Sequence, residues 1–340
     1  MILSFDTGSV CVLESLLFAF NSVAPIILMV ALGYFLKKSK MIGKDFVFSG
    51  NRLVFRILLP VMLFKNVYEI EDIASFDFSH VFFSLAMIML VFIAAVITSG
   101  FITKEGPKRG ALIQGIFRSN YALIGIPLVG SLFGDEGVAA AAVLSAFAIP
   151  LFNILAVSEL LFFGKSGKKP SLSKILTDIL KNPLIQGVAA GFAALFVRGI
   201  FENLGIAFRL FDIAFIEKTA TYISSMATPL ALIVLGADFE FSAISSLKKE
   251  IIFGTAMRCG AVPLFCLGTA FLFFRSNLDG AQFAAVTALF TAPVAVSSVP
   301  MAQEMGGDSS LAGQLVIWTT IFSAFSIFIA SFLLKSAGIF

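Results

Sequence analysis

The sequence predicts an all-α polytopic membrane protein with ten transmembrane helices in a five-plus-five inverted repeat, in which helices four and nine are broken and cross. Three observations predict this fold: the composition, ten long apolar stretches, and a proline-broken segment that occurs twice. Of the 340 residues, 59% are hydrophobic and 13% are charged, and the mean hydropathy is +0.99. Soluble domains are typically about 45–50% apolar and about 25% charged. The chain is therefore expected to lie in a lipid bilayer.

The apolar stretches define the predicted spans, because a helix needs about 20 mostly apolar residues to cross a bilayer. The spans are predicted at 14–36, 46–67, 79–102, 110–133, 138–162, 183–199, 218–238, 251–274, 280–304 and 309–335. The chain then divides into three parts. These are a first five-helix repeat over 1–163, a short basic loop over 164–182 and a second five-helix repeat over 183–340.

The charges of the loops predict the orientation. The loops after spans one, three, five and seven are rich in lysine and arginine, whereas the loop after span two is acidic. Basic loops tend to remain in the cytoplasm, so the odd-numbered spans are predicted to end inside. Both termini then lie outside, and the loop over 164–182 is cytoplasmic. Because each half has an odd number of spans, a second half that repeats the first must be inverted.

A proline-broken hydrophobic segment occurs once in each half, from Arg118 to Asp135 and from Thr291 to Asp308. At one constant offset, the sequence aligns Pro127 with Pro300, Gly134 with Gly307 and Asp135 with Asp308. A broken helix leaves backbone groups unpaired, which a membrane tolerates only against protein or a water-filled cavity. Interrupted segments at matching positions of two halves are typical of the binding site of a secondary transporter.

Weaker matches extend the repeat to four further spans. The sequence aligns Pro25 with Pro183, Gly33 with Gly191, and Pro60 with Pro229. An inverted repeat places the substrate site near the middle of the membrane, between its two halves. Pro60 and Pro229 are expected to bend their spans beside that site and to leave carbonyl groups free.

Polar side chains at the breaks are candidates for the substrate site. The amide of Asn120 either donates to a carboxylate or only satisfies backbone groups that the break leaves free. Ser297 and Ser298 of the second break either line the same site or bond to their own backbone. Helix N-termini that point at a crossing of the two breaks favour an anion, because each carries partial positive charge.

Five more polar residues are candidates for gating or for binding an ion. Arg118 and Arg258 either balance an organic anion or have a structural or gating role in ion pairs. Glu304, which follows Gln303, either binds a proton or a sodium ion or ends its helix in solvent. Asn153 is a further polar candidate in span five.

Enzyme and metal chemistry have little support in the sequence. There is no His-Glu-x-x-His motif, P-loop or nucleotide-binding glycine fingerprint. The chain has one histidine and three cysteines without metal-ligand spacing. We therefore expect neither an enzyme nor a metal site, no cofactor and no nucleic-acid partner.

Motifs in six spans carry a family resemblance. They are Asn51-Arg52 with Pro60, Asn120 to Leu128 with Pro127, Lys181 to Leu184, Ala227 to Asp238, Met257-Arg258 with Pro263, and Ala292-Pro293 with Ala302 to Glu304. In these motifs, and in their order over nearly the full chain, the sequence resembles the auxin efflux carrier family. That family includes the plant PIN carriers and bacterial relatives associated with malonate or malate.

The resemblance implies an architecture similar to that of bile-acid symporters and sodium/proton antiporters, with a scaffold part and a transport part that move relative to each other. Spans four and nine then cross at breaks that Pro127 and Pro293 mark, and Asn120 contacts a small mono- or dicarboxylate. The internal repeat points instead to Pro300, so the crossing can lie anywhere between Pro293 and Pro300. Tyr121 replaces the threonine of plant members, which argues against auxin itself.

The resemblance also bears on location and assembly. The long cytoplasmic loop of plant PIN carriers is absent, which indicates a prokaryotic member in the bacterial inner membrane. The family further implies a homodimer embedded in the lipid bilayer.

The sequence therefore predicts a secondary transporter of small organic anions that works by alternating access. Its predicted substrate site comprises Leu59, Pro60, Asn120, Tyr121, Ile126, Pro127, Pro229, Pro293, Ser297, Ser298 and Pro300, and its predicted ion or gating residues are Arg118, Asn153, Arg258, Gln303 and Glu304. One alternative is a symporter or antiporter with sodium or protons as the main cargo, and the other is a channel or sensor. Coupling of anion transport to a proton or sodium ion is left open.

Overall fold

The computed structural model describes residues 24–69, 78–164, 177 and 180–339, and over these residues its regular structure is helical. The main helices are α1 (24–38), α2 (Lys44–Tyr68), α3 (Ser79–Ile102), α4 (Gly106–Phe117), α5 (Tyr121–Gly130), α6 (Glu136–Phe163), α7 (Pro183–Asn203), α8 (Ala214–Asp238), α9 (Lys248–Phe273), α10 (Gly280–Thr291), α11 (Ser298–Glu304) and α12 (Ser309–Ser336).

Seven of these helices are long and apolar enough to cross a membrane: α2, α3, α6, α7, α8, α9 and α12. Large apolar side chains such as Phe101 and Leu264 are mostly exposed on the outside of the helices, as a lipid-facing surface requires. The coarse prediction of an all-helical membrane protein is therefore confirmed. The first 23 residues, including 14–23 of the first predicted span, lie outside the described part of the chain.

The two predicted interruptions are present, but Pro127 and Pro300 lie after them, whereas Pro293 lies within the second. In the first, the backbone leaves the helix over 118–120, and Pro127 lies within the helix that comes after. In the second, the chain is non-helical from 292 to 297, and Pro300 lies in the first turn of α11. Because a proline in a first turn gives up no hydrogen bond that the helix needs, Pro300 is compatible with α11. The expectation that Pro127 and Pro300 mark the interruptions is wrong.

Three prolines inside the membrane helices are each preceded by a widened π-type turn. Val54–Leu58 precedes Pro60, Tyr121–Gly125 precedes Pro127, and Met257–Ala261 precedes Pro263. A proline ring clashes with the carbonyl group four residues earlier. A wider turn moves that carbonyl away, so the helix continues through the proline. Such turns are frequent at functional sites, and the three helices concerned all border the two interruptions.

Glycines allow two pairs of helices to pack with their backbones in contact. A Cβ atom added to Gly33 of α1 would lie 2.0 Å from the carbonyl oxygen of Ile233 in α8. One added to Gly191 of α7 would lie 3.0 Å from the carbonyl oxygen of Phe64 in α2. The internal repeat aligns Gly33 with Gly191. Their contacts also correspond, because Phe64 lies four residues after Pro60 and Ile233 lies four residues after the aligned Pro229. Equivalent positions of the two halves thus make equivalent contacts.

Candidate functional site

The two interruptions contact each other through their backbones. The N–H of Asn120 donates to the carbonyl oxygen of Pro293 at 2.8 Å, and Ser119 and Val294 form an antiparallel bridge. The hydroxyl of Ser119 also donates to the carbonyl oxygen of Leu289 at 2.7 Å. Backbone and side-chain groups of the protein therefore pair with each other here, as a membrane interior requires. We call this contact the crossing.

Pro293 and Pro300 have different places in the second interruption. Pro293 contributes its carbonyl group to the crossing, whereas Pro300 lies beyond it in α11. The offset that aligns Pro127 with Pro300 also aligns Asn120 with Pro293, and these are the two residues whose backbones pair. Pro293 therefore belongs to the crossing, as the family resemblance implies, whereas Pro127 and Pro300 belong to the helices that leave it.

A small cavity of about 60 Å³ lies beside the crossing. Its wall has polar residues from α2, the first interruption, α5, α6 and the second interruption: Asn66, Arg118, Ser119, Asn120, Tyr121, Asn153 and Ser297. The rest of the wall is apolar and consists of Leu59, Met62, Leu63, Ala122, Ile149, Phe152, Leu184 and Ala295. A polar end against an apolar wall suits a small amphipathic ligand.

Two polar atoms in residues of the cavity wall are buried without a hydrogen-bond partner among the described residues. They are Nδ2 of Asn120 and the hydroxyl of Tyr121. Leaving a buried polar group unsatisfied costs about 1–3 kcal/mol, so such groups are rare in native proteins. A ligand or an ordered water that accepts hydrogen bonds from them would remove this cost.

Arg118 supplies a positive charge to the cavity wall. Its guanidinium group, only 3% exposed, donates to Oδ1 of Asn153 at 2.7 Å and to Oε1 of Gln114 at 3.3 Å. Nε2 of Gln114 in turn donates to Oε1 of Glu159 at 3.0 Å. The buried carboxylate of Glu159 thus balances Arg118 through an intervening amide, whereas the sequence had suggested an ion pair for Arg118.

Arg258 lies on the crossing but does not line the cavity. Its Nε and Nη2 atoms donate to the carbonyl oxygen of Ala292 at 2.9 and 2.6 Å, and Nη2 also reaches that of Leu289 at 3.1 Å. Its Nη1 atom donates to the carbonyl oxygens of Phe117 at 3.4 Å and Ile116 at 3.5 Å. Arg258 therefore binds the C-terminal ends of α4 and α10, a role that its sequence position alone did not indicate.

The C-terminal end of α11 contacts α2. The side-chain amide of Asn51 donates to Oε1 of Gln303, and Nε of Arg56 lies 3.4 Å from Oε2 of Glu304. The Glu304 side chain is only 9% exposed, so the alternative of a helix end in solvent is wrong for it. The contacts join the helix after the second interruption to a neighbouring span, which is compatible with gating.

The other predicted substrate-site residues do not line the cavity: Pro60, Ile126, Pro127, Pro229, Pro293, Ser298 and Pro300. Sequence reasoning missed other residues that do, including Asn66 and Ser119. It also missed Glu159, which lies at 2% exposure in an apolar 28-residue helix. A carboxylate within such a helix is costly and tends to mark function, so that signal was present in the sequence.

A second, larger cavity of about 1260 Å³ is an open groove between α9 and α12. Its wall is formed mostly by apolar residues such as Leu264, Phe322 and Phe325, which are exposed on the outer surface. A groove of this kind suits lipid chains and lacks the convergent polar groups of a substrate site. The small cavity at the crossing is therefore the candidate site.

Comparisons with other proteins extend over nearly the whole chain. A family model described as "Membrane transport protein" matches residues 18–171 and 170–331. An "uncharacterized transporter" of Methanothermobacter thermautotrophicus is 23% identical over 321 residues, which cover 90% of this chain and 95% of that protein. An "uncharacterized transporter" of Methanocaldococcus jannaschii is 24% identical over 307 residues, covering 88% and 93% respectively.

Proposed function

Because the chain belongs to the membrane transport protein family, the auxin efflux carrier family, we propose that it is a secondary transporter of small organic anions. The family and both relatives mark it as an integral membrane transporter rather than an enzyme. The choice of an anion rests on one observation. Nδ2 of Asn120 and the hydroxyl of Tyr121 are buried beside Arg118 in one cavity wall and have no hydrogen-bond partner within the described part of the chain.

The donors around this cavity suit a carboxylate. A guanidinium group can bind both oxygens of a carboxylate, and charge-assisted hydrogen bonds are stronger than neutral ones. Asn120 and Tyr121 can add neutral donors, and α5 begins at Tyr121, so its N-terminal end adds partial positive charge. The apolar wall, which includes Leu59 and Phe152, would contact the rest of a small mono- or dicarboxylate.

The mechanism we propose is alternating access in an inverted five-plus-five repeat. Two observations support it: the residues paired at the crossing are ones that the repeat aligns, and the aligned glycines make equivalent helix contacts. The cavity wall also combines α2 and α7 with the two interruptions. In the proposed mechanism, α1, α2, α7 and α8 form the scaffold part, and the other helices form the transport part.

The proposed setting is the inner membrane of a bacterium, with the loop over 164–182 in the cytoplasm and both termini outside. The basic residues of the loops after spans one, three, five and seven support this orientation. Assembly as a homodimer is proposed from the family resemblance.

Binding and transport of carboxylates by the purified protein test this function. A thermal-shift screen with acetate, lactate, malonate and malate should raise Tm for at least one of them, because a ligand that binds only the folded state stabilises it. In proteoliposomes, the same compound should show saturable uptake and counterflow. Single-channel currents without counterflow would favour a channel, and failure of all organic anions in both assays would contradict the proposal.

Proton-coupled transport is a second candidate, and the observation that favours it is Glu159. This carboxyl group is buried, and its Oε2 atom has no hydrogen-bond partner among the described residues. An anion that binds Arg118 would reduce the charge compensation that Glu159 receives through Gln114, so a proton would bind together with the anion. Uptake of the anion should then be accelerated by an inward proton gradient in the wild type and not in Glu159→Gln.

A further inference from the structure

The C-terminal ends of α4 and α10 face each other across one side chain, Arg258 of α9. The last carbonyl groups of a helix have no partners within the helix and carry partial negative charge. Two such ends close together in a membrane protein are unfavourable unless a donor or a cation lies between them. A hydrogen-bond donor or a cation is therefore needed at this place.

Arg258 fills the space between the two helix ends. All five of its hydrogen bonds go to main-chain carbonyl oxygens, three on the α10 side and two on the α4 side. The residue is 1% exposed, and over the described residues no carboxylate forms an ion pair with it. The partial charges of the two helix ends thus act as its counter-charge.

The local structure of α9 and the chemistry of arginine both fit this position. Arg258 is the second residue of the π-type turn Met257–Ala261, which relieves the clash of the following Pro263 with the preceding turn. Its planar guanidinium group presents five N–H donors in a fixed fork, whereas a lysine ammonium group has three around a point charge. The wide fork suits carbonyl groups of two separate helix ends.

In transporters with broken helices, the C-terminal ends of half-helices and unwound carbonyl groups are the places that coordinate a coupling cation. Here the side chain of Arg258 occupies those carbonyl groups. We propose that Arg258 is a permanent cation at the crossing, which takes the place of a coupling sodium ion at the ends of α4 and α10. The carrier then needs no sodium gradient, and Arg258 is a positioning residue because it does not line the cavity. This inference rests on the proposed transport function.

The first test measures thermal unfolding and does not depend on transport. Arg258→Ala leaves a space lined by carbonyl groups, so millimolar guanidinium chloride should raise its Tm by about 2–4 °C. The matched control is Arg258→Met, which also removes the guanidinium group but fills the space with an apolar side chain of similar length. Neither the wild type nor Arg258→Met should respond. Equal shifts in all three proteins, or no shift in folded Arg258→Ala, would overturn the proposal.

The second test measures sodium dependence in the wild-type protein, so it remains decisive where Arg258→Ala does not fold. Uptake of radiolabelled malonate into proteoliposomes should change less than twofold when N-methylglucamine replaces all sodium. A tenfold loss of malonate uptake without sodium would overturn the inference about Arg258, while the proposed carrier function would stand. Absence of uptake for every carboxylate would instead count against the carrier function, and the guanidinium experiment would still decide whether Arg258 is the cation at the crossing.

Discussion

The two interruptions pair with each other through their backbones but carry different side chains. The first carries Arg118 and Asn120, which place a charge and an amide at the cavity. The second is mostly apolar, with Val294 and Val296 buried, and it contributes a carbonyl group through Pro293. One interruption can therefore provide the polar groups of the cavity while the other mainly supports it. The following predictions test this division between a binding interruption and a supporting one.

The largest expected effect comes from the charge at the first interruption. Arg118→Gln should lower the free energy of unfolding by about 3–5 kcal/mol, because it leaves the carboxylate of Glu159 buried and uncompensated. Adding Glu159→Gln to this variant should recover a large part of the lost free energy of unfolding. Chemical denaturation of the two single variants and the double variant in detergent measures the coupling. Losses that simply add in the double variant would show that the two charges do not interact.

The next prediction tests whether the first interruption contributes more to substrate recognition than the second. Asn120→Ala should lower malonate uptake by about tenfold to a hundredfold. This corresponds to the loss of one hydrogen bond to a charged group, which contributes about 1.5–3 kcal/mol. Ser298→Ala is the matched control, because the Ser298 hydroxyl is also buried with no partner among the residues that the structure describes, but lies outside the cavity wall. It should leave uptake unchanged. Equal losses of uptake in the two variants would contradict the distinction between a binding and a supporting interruption. Expression level and Tm of both variants serve as controls for folding.

The aligned glycines test whether the two halves pack equivalently. Gly33→Ala and Gly191→Ala should each lower the free energy of unfolding by about 1–3 kcal/mol through overpacking. The loss should be greater for Gly33, where the added Cβ meets a backbone atom at the shorter distance. A Cβ atom added at Gly199 would meet open space, so Gly199→Ala should instead raise the free energy of unfolding by up to about 1 kcal/mol. A stable Gly33→Ala protein would contradict the observed packing of α1 on α8.

The smallest effect is expected at the contact between α2 and α11. The Arg56 side chain is 55% exposed, so Arg56→Ala should change stability by less than about 1 kcal/mol. If the contact with Glu304 serves as a gate, the variant should change the maximal uptake rate more than the KM. A change in KM alone would indicate that the contact affects binding and not gating.

Much of this architecture could be predicted from the sequence because its signals are local. Hydropathy gave spans that agree with the long helices within a few residues, and the prolines predicted that spans four and nine are interrupted. The places of the interruptions could not be derived in the same way. Proline sterics can be relieved by a π-type turn before the residue, as at Pro127, so a proline does not have to coincide with the non-helical residues.

The site was predictable where it depended on one residue and not where it depended on packing. Asn120 was identified because an amide beside a broken helix needs a partner. The link from Arg118 through Gln114 to Glu159 depends on how α6 lies against α4, which hydropathy does not determine. The same holds for Arg258, whose carbonyl partners come from two helices that are distant in sequence.

The pairing of Asn120 with Pro293 has a mechanical consequence. Residues that pair directly in an antiparallel ladder can exchange two main-chain hydrogen bonds, but proline has no N–H and can only accept. The carbonyl oxygen of Asn120 therefore remains available to its own helix, where it accepts from the N–H of Ile124 at 3.1 Å. One hydrogen bond resists twisting less than two do, so the two interruptions can rotate more easily about this residue pair. Pro293→Ala would restore the missing donor and stiffen the joint.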